Sequence, residues 1–384
     1  MTSVMRSRKP VAVGACVVPM LSLLALTGCA ETAAVDCDRI AGDGRRFYES
    51  NPTYTDPRDD DSKDDDPERS PPERQGMSSA TLHAGLTELA RNPSLLSVLV
   101  IRHGHLVAER YFHGGGERRS DNVHSASKSI LQALVHIAVA EGFIKSLDDP
   151  VAAYLPRYFS DARPDKKKIT IRHLLTMRSG LDWTEDSTES QVEKAPDWVA
   201  AILGRPLVSA PGTTYNYSSG DTHVVSAVLQ QATGMSTCRF AHRYLFGPMG
   251  VTAEHWGRDP QGVFSGGYNL YLTPRELARF GLLYLHDGIW AGRRLVPRGA
   301  VRAARTRTTQ VDDTSSYSEG WWTRVISGRP MYFAWGYGGQ FVHVIPSADI
   351  VLVTTENTSD DNVNEEIDPE AFIRDRLLPA ITGP

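Results

Sequence analysis

Between Leu95 and Tyr111 the apolar side chains crowd into two short runs, LLSVLVIR and HLVAERY, separated by a His-Gly pair. Runs of this length, rich in Val, Leu and Ile and broken by a glycine, predict two strands joined by a tight turn. His103 and His105 flank that glycine and read as turn residues rather than metal ligands. From residue 125 to about 290 the spacing changes to a helical one, in SILQALVHIAVAEGF, WVAAILG, THVVSAVLQQATG and TPRELARFGLLYLHDG. Strand patterns return in GWWTRVI, MYFAW, QFVHVIP and DIVLVTTEN, and DPEAFIRDRLLPAI reads as a closing helix. Strands at both ends of a long helical middle predict an α/β chain of the α+β kind. One antiparallel sheet is completed by both termini, with flanking helices and an inserted helical subdomain. An alternating βαβ order, which a Rossmann fold needs, is absent from the pattern.

The segment 129–140, SILQALVHIAVA, is apolar at nine of twelve positions. Its polar residues, Ser129, Gln132 and His136, fall on one narrow stripe, so the helix is expected to be buried on most sides. His136 reads as a core histidine with a partner. Ser125 and Lys128 stand just ahead of this helix, three residues apart, where side chains face the same way. A desolvated lysine has a lowered pKa and offers a neutral amine to take the serine's proton. The bland alternative is a capping serine beside a lysine that extends to water. Ser125-x-x-Lys128 is the one Ser-x-x-Lys in the sequence, and lysine is scarce, with eight against 33 arginines.

Composition changes the picture at the N-terminus. A cationic start (Arg6, Arg8, Lys9) and the apolar run VAVGACVVPMLSLLAL make 1–28 an export signal. It ends in LTGC, which resembles a bacterial lipoprotein cleavage box. That resemblance implies lipidation of Cys29 and a chain anchored on the extracytoplasmic side of the cell membrane. Residues 49–76 are rich in Asp and Pro and nearly free of aliphatic side chains, so 29–76 reads as a tether with an acidic, solvated linker. Residues 77–384 form the folded domain. Cys37 and Cys238 remain in an oxidising compartment, either paired or as two free thiols. The net charge of −5 is matched by the segment 56–74 alone, with nine acidic and four basic residues. The remainder is balanced, and no nucleic-acid partner is expected.

Two further pieces carry chemistry. In PGTTYNYSSGDTHVV, Tyr215, Tyr217, Ser218 and Ser219 lie just before a helix, where a tyrosine can pass a proton between nucleophile and leaving group. In AWGYGGQF, three glycines between two strand patterns let a substrate approach the backbone, so that N–H groups can meet an oxyanion.

In this order the pieces resemble the serine β-lactamase and penicillin-binding-protein superfamily. They are most similar to its class C β-lactamase-related hydrolases, the branch of 6-aminohexanoate-dimer hydrolases and carboxylesterases. The stretches ITIRHLLTMRSGLDW and GGYNLYLTPRELARFGLLYLHDG agree with it. The resemblance implies a β-lactamase-like fold with a five-stranded antiparallel sheet. It implies Ser125 as nucleophile, Lys128 as its activating partner and Tyr217 as proton shuttle, with no metal or organic cofactor. The backbone N–H groups of Ser125 and Tyr337 would form the oxyanion hole. Ser219, Asn269, Trp335 and Gly336 would line the substrate pocket.

The departures tilt the substrate. The third motif, Lys-Thr-Gly or His-x-Gly in β-lactamases and D,D-peptidases, reads Ala334-Trp335-Gly336, and no lysine follows Lys194. Without a cation for a β-lactam carboxylate, unless Arg324 or Arg329 replaces it, the expected substrate is a small ester or unstrained amide. A D,D-peptidase or β-lactamase, and a catalytically silent sensor domain on the same fold, are the rival readings.

Overall fold

Leu95–Arg102 is buried at all eight positions, and its neighbour in the sheet, Ile350–Glu356, at all seven. Successive side chains of a strand point to opposite faces, so both faces of these strands must be covered. Val98, Val100, Ile350 and Leu352 meet Leu82, Leu86, Phe372 and Leu377 on one side. Leu99, Ile101, Val351 and Val353 meet the helical core on the other. This is why the sequence shows continuous apolar runs here rather than alternation.

The computed structural model describes residues 36–44, 54–55, 66–160, 163–185, 187–358 and 368–383. The expected export signal 1–28 and Cys29, the expected lipidation site, lie outside them. Among the described residues the main sheet has eight strands: β1 (Leu95–Arg102), β2 (His105–Tyr111), β3 (Thr309–Gln310), β4 (Ser316–Ser318), β5 (Trp321–Ile326), β6 (Arg329–Gly336), β7 (Gln340–Ile345) and β8 (Ile350–Glu356). Their order is β3-β4-β5-β6-β7-β8-β1-β2, and every pair is antiparallel. The last strand pairs with the first, Val351 opposite Ile101, so both ends of the domain complete one sheet as expected. The expected count of five is corrected to eight. All six patterned runs join the sheet, and β3 and β4 are too short for any periodicity to reveal.

Four helices matter for the site: α1 (Ser79–Leu89), α2 (Ser127–Ala140), α3 (Ser219–Thr233) and α4 (Pro274–Leu285). In α2, 11 of 14 residues are buried. His136, at the edge of the buried face, pairs with Glu319 at 2.7 Å. Helix α3 starts where the Ser218 hydroxyl accepts from the Asp221 N–H, and it stops at Gly234 in the left-handed region. Helix α4 opens on a capping box between Thr273 and Glu276, with Pro274 in its first turn. It lies close on the sheet because residue 281 is glycine: a Cβ there would be 2.5 Å from Val351 Cγ1.

A second, five-stranded sheet was not foreseen. It orders Ala41–Asp43, His255–Arg258, Leu270–Leu272, Arg119–Asn122 and Tyr54–Thr55, the first pair parallel and the others antiparallel. The described parts of the expected tether are therefore held on the domain. Cys37 is bonded to Cys238, with Cα atoms 6.0 Å apart. Asp66 pairs with Arg275 and Arg279, and the Leu106 N–H donates to Glu68 O. These anchors are a covalent bond, ion pairs and main-chain hydrogen bonds. A reading based on apolar content has no sight of them.

Candidate active site

Ser125 sits on a 3₁₀ turn, His124–Ala126, that runs directly into α2. The residue before it, His124, has φ 45°, a conformation that costs a non-glycine residue about 1–3 kcal/mol. Its N–H donates to Asn122 Oδ1 (2.9 Å), and its ring Nε2 lies 3.0 Å from Thr358 Oγ1. Those bonds hold a turn that the backbone alone would not choose.

Lys128, in the first turn of α2, is 1% exposed. Its Nζ donates to Ser125 Oγ (2.8 Å), Ser219 Oγ (3.0 Å) and Gly267 O (3.1 Å). The Tyr217 ring lies beside it, with its centroid 4.9 Å from Nζ. Ser125 and Lys128 thus meet Tyr217 and Ser219, from the turn before α3, across the core. Tyr217 also packs on Tyr317 and Trp322, with centroids 6.0 and 6.1 Å away. Tyr215 packs on Tyr317 as well, and its buried hydroxyl has no hydrogen-bond partner among the described residues. Burial raises the pKa of that hydroxyl far above the ordinary phenol value, so Tyr215 stays neutral.

Ser219 is the bridge. Its hydroxyl donates to Glu185 Oε2 (2.9 Å) and its N–H to Glu185 Oε1 (2.6 Å), while Trp183 Nε1 holds the same Oε1 (2.6 Å). Behind it, Asp221 is fully buried, with Ser179 as its hydrogen-bonding neighbour. Burial pushes its pKa from 3.8 up to about 8, the Ser179 contacts lowering it only in part and Glu185 adding to the rise.

Gly336 faces the nucleophile turn, since a Cβ there would collide with Val123 O. This is the close backbone approach that the third motif requires. Tyr337 begins the turn after β6, and its ring meets the His124 ring edge-on at 5.7 Å. Through Gly336 the backbone just ahead of Tyr337 closes on the nucleophile turn at Val123.

One expected pocket residue, Asn269, is placed differently. Asn269 is fully buried, at φ 57°, and its side chain binds Asn122 and the Gly44 carbonyl rather than forming a pocket wall. Two residues earlier, the Gly267 carbonyl is the group that meets Lys128 Nζ. A Cβ at Gly267 would lie 3.2 Å from Lys128 Nζ, so the residue must be small. Trp335 stacks on Phe341 (5.8 Å) and meets Trp322 (5.2 Å). It alternates with Gly336 along β6, so the two side-chain directions are opposite.

Glu185, Gly267, Tyr317 and Trp322 are site residues that sequence reasoning missed. Faint signals existed: a carboxylate two residues after the tryptophan of LDWTED, and a Gly-Gly pair opening GGYNLYLTP. Arg324 is engaged by Glu370 and Ser315, and Arg329 by Ser347, so both guanidinium groups are committed away from the pocket.

A family model described as Beta-lactamase matches residues 56–373. A 6-aminohexanoate-dimer hydrolase from Paenarthrobacter ureafaciens is 26% identical over 292 residues, spanning 68% of this chain and 72% of that one. A D-aminopeptidase from Brucella anthropi is 30% identical over 138 residues, 34% of this chain and 25% of that one. Among solved structures, the octameric penicillin-binding protein homologue from Pyrococcus abyssi superposes with a TM-score of 0.61 at 18% identity, covering 77% of each chain. EstCE1, a hydrolase with promiscuous acyltransferase activity, gives 0.60 at 16% identity, covering 79% of this chain and 98% of that one. At these identities the structural likeness shows the fold.

Proposed function

This chain belongs to the Beta-lactamase family, and we propose that it is a serine hydrolase that cleaves an ester or amide bond through an acyl-enzyme on Ser125. The observation that carries this is the set of partners around Lys128 Nζ. Ser219 directs its hydroxyl hydrogen at Glu185, and Gly267 offers only a carbonyl, so of these three partners only Ser125 can give Lys128 a proton. A neutral amine there takes the Ser125 proton as Oγ bonds to the acyl carbon. The N–H groups of Ser125 and Tyr337 receive the oxyanion. Tyr217, beside Lys128, passes the proton on to the leaving oxygen or nitrogen, and water then releases the acid and restores Ser125.

The substrate class follows from what the pocket offers. Ala334, Arg324 and Arg329 supply no cation for a β-lactam carboxylate. The P. ureafaciens relative is named for hydrolysing a 6-aminohexanoate dimer, which supports a small acyl compound as substrate. The cationic, apolar start and the LTGC box support a location on the outer side of a membrane, with a lipid on Cys29 as tether.

The test is covalent. A fluorophosphonate probe labels the wild-type chain on Ser125, identified by peptide mass, and Ser125→Ala abolishes both labelling and ester turnover. Persistent labelling in that variant refutes the nucleophile assignment. Stable acylation without turnover points to a sensor.

A further inference from the structure

The residues ahead of the family-model match are joined to the nucleophile turn. The strap Asp36–Gly44 is fastened at one end by the Cys37–Cys238 disulfide and along its length by the pairing of Ala41–Asp43 with Trp256–Arg258. At its other end Gly44 is pressed on the domain, where a Cβ would lie 2.6 Å from Arg258 O and 3.0 Å from Trp198 Cη2. The Gly44 carbonyl accepts from Asn269 Nδ2 (2.8 Å). Asn269 Oδ1 accepts from Asn122 Nδ2 (2.9 Å), and Asn122 Oδ1 accepts from the N–H groups of Asn269 (3.0 Å) and His124 (2.9 Å). His124 is bonded directly to Ser125.

The orientation of both amides is forced by chemistry. A carbonyl can only accept, so Asn269 must turn its NH₂ to Gly44 and its oxygen to Asn122. Asn122 must then turn its own NH₂ to Asn269 and its oxygen to the two N–H groups. Both side chains are buried, 1% and 0% exposed, where an unpaired amide group is costly. Each link therefore holds the next, and the last one holds a residue in the left-handed region, which favours leaving it.

We propose that Asn122 and Asn269 are positioning residues for Ser125, and that the disulfide-fastened strap Asp36–Gly44 is the fixed end against which they work. Segment 36–44, outside the matched family span, is then a working part of the active site rather than a tether. This rests on Ser125 being the nucleophile.

The test uses the full chain. Asn269→Gly deletes both side-chain bonds while keeping a residue that accepts φ 57°. Cys37→Ser with Cys238→Ser frees the far end of the strap. The readouts are the second-order rate of fluorophosphonate labelling at Ser125, and kcat and KM for a neutral phenyl ester, all taken well below each variant's melting temperature. Asn269→Gly is expected to slow labelling roughly ten- to a hundredfold, the scale of a small misplacement of a reacting group, and to lower kcat with KM unchanged. The cysteine pair is expected to give a smaller loss of the same kind. The three substitutions together should be no slower than Asn269→Gly alone, since both act through one path.

If wild type is not labelled at Ser125, the nucleophile assignment fails. If wild type is labelled and both variants match its rate, positioning by the asparagines and strap is refuted. Losses that multiply in the triple variant overturn the role of the strap. If Asn269→Gly does not fold, the cysteine pair decides: a wild-type rate overturns the proposal, and a lower kcat at unchanged KM bears it out.

Discussion

Lys128 Nζ lies 2.8 Å from Ser125 Oγ while the lysine side chain is almost wholly removed from water. Two hydroxyls and a carbonyl hold this nitrogen beside the Tyr217 ring, which aims it at Ser125. One turn of helix thus supplies nucleophile and base with a single three-residue spacing, and the remaining groups are brought to it from far along the chain.

Replacing Lys128 with Met should keep the fold, because the apolar stem is matched in length. It should cut ester turnover and the labelling rate by roughly two to four powers of ten, the usual contribution of a positioned base. Stopped-flow acylation of the variant, checked for folding by circular dichroism, decides this. A rate within threefold of wild type sinks the assignment.

Asp221 gives a pH signature. Its pKa is raised from 3.8 to about 8 in the folded chain. Between those values the native state holds a proton that the unfolded chain releases, so stability falls as pH rises through this window and the loss is complete above it. Asp221→Asn, which stays neutral, should gain melting temperature over wild type progressively from about pH 5 to 8, then level off. A difference that does not change with pH would mean that the carboxyl is ionised in the native state.

Ester turnover should exceed cephalosporin turnover, measured as kcat/KM for a neutral phenyl ester against a chromogenic cephalosporin. The structure adds a restriction on remedies. Ala334 is 1% exposed and faces the core, so Ala334→Lys has to bury its stem and ammonium. The gain in cephalosporin acylation should stay within about one to two powers of ten, and a lower melting temperature should accompany it. Wild type that prefers the cephalosporin would favour the β-lactamase reading.

Cys29→Ala should move the chain from the membrane fraction to the soluble one, because it removes the proposed site of the lipid. Retention of the variant after a high-salt wash would speak against a lipid anchor.

What the sequence determined by itself was local. Apolar spacing located the six long strands and the buried helix α2. The three-residue step from Ser125 to Lys128 set two side chains on one side of the turn that leads into it, since helical geometry makes neighbours of such positions. Gly336 could be read as a close approach because only glycine leaves room for a passing backbone. The tertiary structure alone decided which distant groups complete the site. Ser219 and Gly267 lie 91 and 139 residues from the lysine they bind, and Cys37 lies 201 from its partner. Asn269 could have lined a pocket or held a turn, and Arg324 could have met a substrate anion or Glu370. The residue types are compatible with either role. The choice belongs to the packing of elements that share no local period, where a buried polar group takes whichever partner the fold brings within reach.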